Sequence, residues 1–236
     1  MYKGFLISVV IPCFNEEKGI VEVLNCMPEF IDEVIVVDNG STDRSSVFAE
    51  DKGAKVIYEE RRGYGRAYKA GLLNATGDII ATLDGDGQHP SNSIAPIINY
   101  ILDKELDFVS ASRFPLDNSG SMSFRNIIGN KIQTYTMRIL FGYKIMDSQS
   151  GMWVFKRYIL DRLTLSSNGM SFSEEIKIES LQHKDIRFGE FKIDYIERIG
   201  ETKLLPWRDG VKNMLFLFKH WITSIVFSVF SVFSSL

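Results

Sequence analysis

The chain has 236 residues, 45% of them apolar, and sets 27 Lys and Arg against 30 Asp and Glu for a formal net charge of -3. That length supports one large core, and the charge balance lacks the basic excess that nucleic-acid binding needs, so no nucleic-acid partner is expected. Two cysteines, Cys13 and Cys26, fit neither a disulfide framework nor a zinc pattern, and the start Met1-Tyr2-Lys3-Gly4 lacks the order of a signal peptide.

In chain order, apolar runs rich in β-branched residues alternate with helix-like segments. Strands are expected over 7–11, 34–37, 54–58, 78–83 and 107–111, with helices over 16–27, 43–52, 64–75 and 91–102 between them. The runs are continuous rather than alternating, which means burial on both faces. The expected fold class is therefore α/β, a mostly parallel, Rossmann-like sheet with helices on both sides. In such sheets ligands sit beyond the carboxyl ends of the strands.

Polar residues collect at those ends. The first strand runs into Pro12-Cys13-Phe14-Asn15-Glu16, the second into Asp38-Asn39-Gly40-Ser41-Thr42-Asp43, the fourth into Asp84-Gly85-Asp86-Gly87-Gln88-His89, and the fifth into Ser112-Arg113. Asp84, Asp86 and Gln88 offer hard oxygens to Mg²⁺ or Mn²⁺, leaving the remaining positions to a diphosphate. A solvated turn would use the same residue types, and Asn15, Thr42 and Asp43 would equally serve as helix caps. His89, next to Pro90, reads mainly as a residue that shapes the turn.

Arg61, Arg62 and Arg66 lie with Gly63 and Gly65 before a helix, an arrangement like a phosphate loop that lacks the third glycine of a dinucleotide fingerprint. Further on, Arg113, Arg125, Arg198 and Arg208 suggest a second anionic group apart from the diphosphate, since guanidinium binds phosphate oxygens bidentately. No Ser/His/Asp grouping or cysteine nucleophile can be assembled.

After Arg113 the alternation stops. A loop over 119–124 precedes a helix over 125–140, the polar turn Asp147-Ser148-Gln149-Ser150-Gly151, a helix over 173–183, and strand-like stretches at 186–191 and 193–196. From 214 to 236 the chain is overwhelmingly apolar. On a helix, His220, Ser224, Ser228, Ser231 and Ser235 form one stripe opposite a wide apolar face. With Lys203, Arg208, Lys212 and Lys219 upstream, this reads as a membrane-interface anchor. The alternative is a buried helix or one that pairs with a second copy in a homo-oligomer. The expected organisation is thus one domain over 1–212 and a hydrophobic, membrane-associating C-terminal helix over 213–236.

Taken together, Val9-Val10-Ile11-Pro12 with Asn15-Glu16, Val36-Val37-Asp38-Asn39-Gly40-Ser41-Thr42-Asp43, Gly63-Tyr64-Gly65 before Ala70-Gly71, Ala75-Thr76-Gly77-Asp78 and Asp84-Gly85-Asp86-Gly87-Gln88-His89 resemble the family 2 glycosyltransferases. Ser112-Arg113, Asp147 to Gly151, and Gly200-Glu201 with Lys203-Leu204 resemble the branch of polyprenyl (dolichyl) phosphate sugar synthases. The resemblance implies a GT-A fold and an inverting hexosyltransferase, moving sugar from a nucleoside-diphosphate sugar to a polyprenyl phosphate, dolichyl or undecaprenyl, at the cytoplasmic face of a membrane.

It implies roles as well. Asp38 marks the nucleoside site, lined by Pro12, Asn15 and Glu16. Asn39 stands where many relatives carry a second Asp. Asp84, Asp86 and Gln88 hold the metal on the diphosphate, with Arg66 also on the donor side. Arg113 and Arg125 grip the acceptor phosphate, and Arg198 and Lys203 are secondary phosphate-binding candidates. A phosphate monoester with a second pKa near 6 is largely dianionic at neutral pH, so no general base is required. Asp147 is then expected to orient Arg125 or the acceptor. The competing readings are transfer to a glycan acceptor in cell-surface polysaccharide synthesis, which needs a carboxylate base, and a non-catalytic nucleotide-sugar-binding scaffold at a membrane.

Overall fold

The computed structural model describes residues 1–117, 120–203 and 206–233, without the side chains of Pro206 and 227–233. Ser119, Leu204 and Ser235, each part of a pattern noted above, lie outside the described residues, as do the side chains of Ser228 and Ser231.

Five apolar runs form strands β1 (Ile7–Cys13), β2 (Glu33–Asp38), β3 (Lys55–Tyr58), β4 (Ile79–Thr82) and β5 (Phe108–Ser112). Between them lie α1 (Glu17–Asn25), α2 (Ser45–Asp51), α3 (Tyr64–Asn74) and α4 (Ile94–Asp103). The back half adds α5 (Phe124–Phe141), β6 (Trp153–Lys156), α6 (Phe172–Gln182), β7 (Phe188–Lys192) and α7 (Pro206–Phe233). Strand order is β3-β2-β1-β4-β6-β5-β7. Every pairing is parallel except those of β6, which runs antiparallel to both β4 and β5.

The continuous runs are buried on both faces as their composition requires. Val9, Ile11, Ile79 and Val109 pack with Ile97 and Ile101 of α4 on one side. Val10, Val37 and Ile80 pack with Tyr68 of α3 and Phe172 of α6 on the other. Burying a side chain of this kind contributes roughly 1.5–3 kcal/mol, so the two layers hold the sheet edge rigidly under the site.

Two expectations for the back half are corrected. Residues 193–196 do not form a strand: the chain leaves β7, donates Ile196 N to Gln88 O at 3.2 Å and Ile199 N to Asp86 O at 2.9 Å, and so crosses the β4 loop. The C-terminal helix expected to associate with a membrane is not found as a membrane-crossing one: among the described residues no helix is long and apolar enough to cross a membrane. Helix α7 begins at Pro206 and packs along α5, burying Asn213 and Leu217. At the start of its polar stripe, His220 lies against Phe141 and Phe216, with Nε2 3.5 Å from Glu179 Oε1.

Candidate functional site

Four strand ends and one crossing segment build the site. At the end of β1, Pro12 pairs with Val37 of β2, and Asn15 adopts a left-handed φ of 53°. Its side-chain oxygen accepts Thr42 N at 2.7 Å, and its own N donates to Ser41 Oγ at 3.1 Å, tying the β1 and β2 loops together. Asn15 therefore joins loops and does not cap α1. Asp43 supports that helix from across the gap, accepting Glu17 N at 3.2 Å.

Asp38 closes β2, buried, and accepts Ser41 N at 2.8 Å. Beside it, Asn39 spends its amide on Glu59 O and Arg61 O and accepts Gly63 N at 2.7 Å. Its side chain thus fixes the 59–63 loop. This explains why an amide, with both donors and an acceptor, stands there in place of a second carboxylate.

The phosphate-loop expectation for Gly63, Gly65 and Arg66 is corrected. The first amides of α3 are taken by the chain itself, with Gly65 N 3.1 Å and Arg66 N 3.4 Å from Asn168 O. A Cβ on Gly65 would lie 2.4 Å from Ser167 O and 2.9 Å from Phe172 Cβ, and one on Gly63 would lie 2.3 Å from Asn168 O. These glycines admit a backbone loop. Gly65→Ala is accordingly expected to lower stability by about 1–3 kcal/mol, the cost of overpacking, while leaving nucleotide affinity within a few-fold. A thermal melt alongside a nucleotide titration checks this, and weaker nucleotide binding at unchanged stability would restore the phosphate-loop reading.

Beyond β4, Asp84 accepts Tyr64 Oη at 3.2 Å and Tyr68 Oη at 3.4 Å, and its Oδ2 lies 3.3 Å from Nδ1 of the buried His89. Burial alone would raise its pKa, but these neighbours and Arg113 outweigh it and hold the group below its ordinary range. Asp86 is pushed the other way, by burial and by the like charge of Asp84, against the attraction of Arg198. Gln88 donates its amide hydrogens to Ser121 O at 3.2 Å and Ile196 O at 3.3 Å, so its nitrogen holds the flanking loops. The two tyrosines on Asp84 were not singled out in the sequence, although their i, i+4 spacing on α3 offered a signal.

Among the described residues, no three His, Cys, Asp or Glu side chains converge into a ready metal cage. The donor set still suits a small hard cation, which takes one or two carboxylates and fills its remaining positions with water and substrate phosphate. Asp84 and Asp86 would hold it, with Gln88 alongside. The observation that fits is the like charge that, after burial, raises Asp86: the carboxylates of the half-buried Asp84 and the buried Asp86 repel each other and favour a cation between them.

Here the protein supplies its own cations. Arg198, carried over the β4 loop by the segment after β7, donates Nη1 to Asp86 and Nη2 to Glu16. Lys203 Nζ is 3.0 Å from Glu16 Oε1 and also donates to Asn15 O. Burial raises Glu16 against these partners. Arg198 and Lys203 therefore meet the expected donor site, on its side of Asp86.

At the end of β5, the guanidinium of Arg113 forms two parallel hydrogen bonds with Asp147, Nε to Oδ2 at 2.7 Å and Nη2 to Oδ1 at 2.9 Å, while Arg113 N reaches Oδ2 at 3.1 Å. Asp147 is fully buried and also accepts Asn130 Nδ2 at 3.2 Å. Burial opposes its charge, but Arg113 prevails and its carboxyl lies far below the usual range. Asp147 thus orients Arg113, which corrects the expectation for Arg125. Arg125 itself is exposed in the first turn of α5. A Cβ on Gly151, at the far end of the same turn, would lie 2.9 Å from Asp84 Oδ2. The turn 147–151 therefore walls both the carboxylate pair and the Arg113 guanidinium.

Comparison with known proteins gives a consistent picture. Residues 8–164 match the family described as Glycosyl transferase family 2. The chain is 32% identical over 207 residues to the dolichyl-phosphate hexose transferase of Haloferax volcanii, across 86% of this chain and 89% of that one. It is 31% identical over 218 residues to the Low-salt glycan biosynthesis hexosyltransferase Agl6 of the same organism, across 89% of this chain and 52% of that one, so it spans about half the length of that relative. A solved structure of glucosyl-3-phosphoglycerate synthase from Mycobacterium tuberculosis with UDP superposes with a TM-score of 0.72 at 21% identity, over 92% of this chain and 80% of that one, a likeness of fold. The same synthase has been crystallised with Mn²⁺, UDP-glucose and phosphoglyceric acid.

Proposed function

This chain belongs to glycosyl transferase family 2, and on that premise we propose that it moves a hexose from a nucleoside-diphosphate sugar to a polyprenyl phosphate at a membrane surface. The chain is a glycosyltransferase with a GT-A-like sheet; the acceptor, the metal and the residue roles are the proposal. The observation that carries it is the locked state of Asp147. The buried carboxylate on the acceptor side spends both oxygens on Arg113 and stays ionised far below neutral pH, so it has no capacity to take a proton from a sugar hydroxyl. An acceptor that arrives already anionic needs no base. A phosphate dianion meets that condition and suits the guanidinium held beside it.

The donor half follows from the opposite rim. Asp84 and Asp86, with Gln88, would hold Mg²⁺ or Mn²⁺, which when bound neutralises the departing diphosphate. Asp38 and Pro12 face the nucleoside end of the same rim, and Arg198 and Lys203 lie where diphosphate oxygens would draw them from Asp86 and Glu16. In-line attack from the Arg113 side on the sugar carbon would invert its configuration.

Support for a lipid acceptor comes from the outer faces of two packed helices. Phe124, Ile128, Ile132, Tyr135 and Ile139 are exposed at three- and four-residue spacing on α5. Trp207, Val211, Leu215, Phe218 and Ile222 repeat that spacing on α7. Exposed Arg125, Lys131, Arg208 and Lys212 flank these apolar stripes, an arrangement that fits peripheral docking on an anionic bilayer. The dolichyl-phosphate hexose transferase among the relatives agrees with such an acceptor.

An acceptor panel tests the proposal: polyprenyl phosphate, polyprenol and a short oligosaccharide, each with a nucleotide sugar and Mn²⁺. Transfer is expected to polyprenyl phosphate and to fall at least a hundredfold for polyprenol. Equal transfer to the oligosaccharide would favour a glycan acceptor instead.

A further inference from the structure

On α6, Lys177 has no exposed surface. Its Nζ donates to three backbone carbonyls, Asp147 O at 3.2 Å, Ser148 O at 2.8 Å and Ser150 O at 2.8 Å. All three belong to the turn that walls the site. An ammonium has three hydrogens for three acceptors, whereas a neutral amine has two hydrogens and a lone pair that would face a carbonyl oxygen. The set is satisfied only in the charged form.

The turn's other attachments show what this pin controls. At its start Asp147 clamps Arg113. At its end Gly151 O accepts Tyr68 Oη at 3.1 Å and Thr82 Oγ1 at 2.9 Å, directly behind Asp84. We propose that Lys177 is a positioning residue that fixes the 147–151 turn, and thereby sets the Arg113 guanidinium against the Asp84 carboxylate at the spacing that sugar transfer to an anionic acceptor requires. The role of Arg113 in this statement rests on the proposed function; the pinning of the turn does not.

The charges facing Lys177 are Asp147 on the turn, Arg113 at the end of β5, Glu190 on β7 and Glu174 on its own helix, with the Trp153 ring of β6 6.0 Å away. Burial pulls the ammonium down to about 8, against the attraction of Asp147. Burial likewise pushes Glu174 up to about 8, against its hydrogen bond from Gln149 Nε2 at 2.6 Å. A lysine lowered in the folded state makes folding more favourable, not less, as pH rises from about 8 towards its ordinary range. Its loss of charge should therefore loosen the turn without lowering stability on its own account. Acceptor and donor phosphates are fully ionised there and contribute no change in that window.

The test follows solvent exchange of the Arg113 Nε–H by NMR, assigned by its loss in Arg113→Lys, with acceptor kinetics measured in parallel. In the wild-type protein exchange should accelerate beyond tenfold per pH unit above about pH 8, while acceptor KM rises and kcat changes little. Lys177→Met, which keeps the length and removes the charge, should show the faster exchange already at pH 7. It should raise acceptor KM at least tenfold and leave Mn²⁺-dependent UDP binding within threefold. Lys177→Arg, charged throughout, should abolish the break near pH 8.

A wild-type exchange profile without that break overturns the proposal even if neither variant folds. So does a Lys177→Met protein that is merely less stable, with Arg113 exchange unchanged. Exchange that behaves as expected in an enzyme that ignores polyprenyl phosphate would instead refute the acceptor reading and leave the pin standing.

Discussion

Asp147→Asn is expected to cost about 3–5 kcal/mol of stability, the usual consequence of removing one partner of a buried ion pair. In a chain of this size that lowers Tm by roughly 10 °C. The reason is what remains: Arg113 is 8% exposed and, without the carboxylate, has an amide NH₂ or a single oxygen where two oxygens stood. Where the amide nitrogen takes the place of Oδ1, Asn130 Nδ2 and Gln149 N lose their shared acceptor; where it takes the place of Oδ2, Arg113 N and Nε lose theirs.

The pH signature separates this role from a general base. The folded Asp147 carboxyl lies far below its unfolded value of about 3.9, so its stabilisation is fully present above that value and is lost only as pH falls through the folded pKa. The deficit of the variant should therefore show no titration of Asp147 above about pH 4, and should shrink only towards pH 8, where Lys177, deprived of the attraction of Asp147, gives up its proton more readily. Acceptor KM should rise at least tenfold as Arg113 loses its orientation. A variant of normal stability that loses only a basic limb in kcat would assign Asp147 to proton abstraction instead.

Asp86→Ala should do the opposite, removing activity and sparing the fold. Burial and the neighbouring Asp84 already disfavour its charge, and Arg198 retains Glu16 when Asp86 is gone. Tm should stay level or rise slightly. Transfer should fall by about 10³-fold, the scale on which a single group aimed at developing charge contributes, and the remaining rate should no longer respond to Mn²⁺. Rates measured with and without a chelator, beside a thermal melt, check both halves. A variant that keeps metal-stimulated transfer would move the cation to other ligands.

Much of this was legible in the sequence because it is local. Continuous runs such as Val34 to Val37 and Ile79 to Leu83 are buried on both faces, and a parallel sheet puts the polar residue after each run on one edge. Asp38, Asp84, Asp86 and Arg113 followed from that rule. What could not be read depends on partners far along the chain. Nothing local says that β6 enters antiparallel between β4 and β5, or that residues after β7 fold back to lay Arg198 on Asp86 and Glu16.

Periodicity could not show where burial and charge coincide. Glu174, Lys177 and Ser180 are polar residues on one helix, yet all three are fully buried, because the Gln149 amide, the carbonyls of the 147–151 turn and, for Ser180, the Ile176 carbonyl supply the partners that water would otherwise provide. Gly63 and Gly65 misled for a related reason. A glycine pair before a helix admits a phosphate or a second backbone equally well, and here it admits the 167–168 backbone.

The central claim is that the acceptor's own phosphate oxygen attacks the sugar. Phosphorus NMR of a reaction containing enzyme, Mg²⁺, nucleotide sugar and polyprenyl phosphate tests it most directly. The monoester resonance of the lipid should be replaced by a diester resonance, with one equivalent of nucleoside diphosphate released for each diester formed. Release of the nucleoside diphosphate with the lipid monoester resonance unchanged would contradict it.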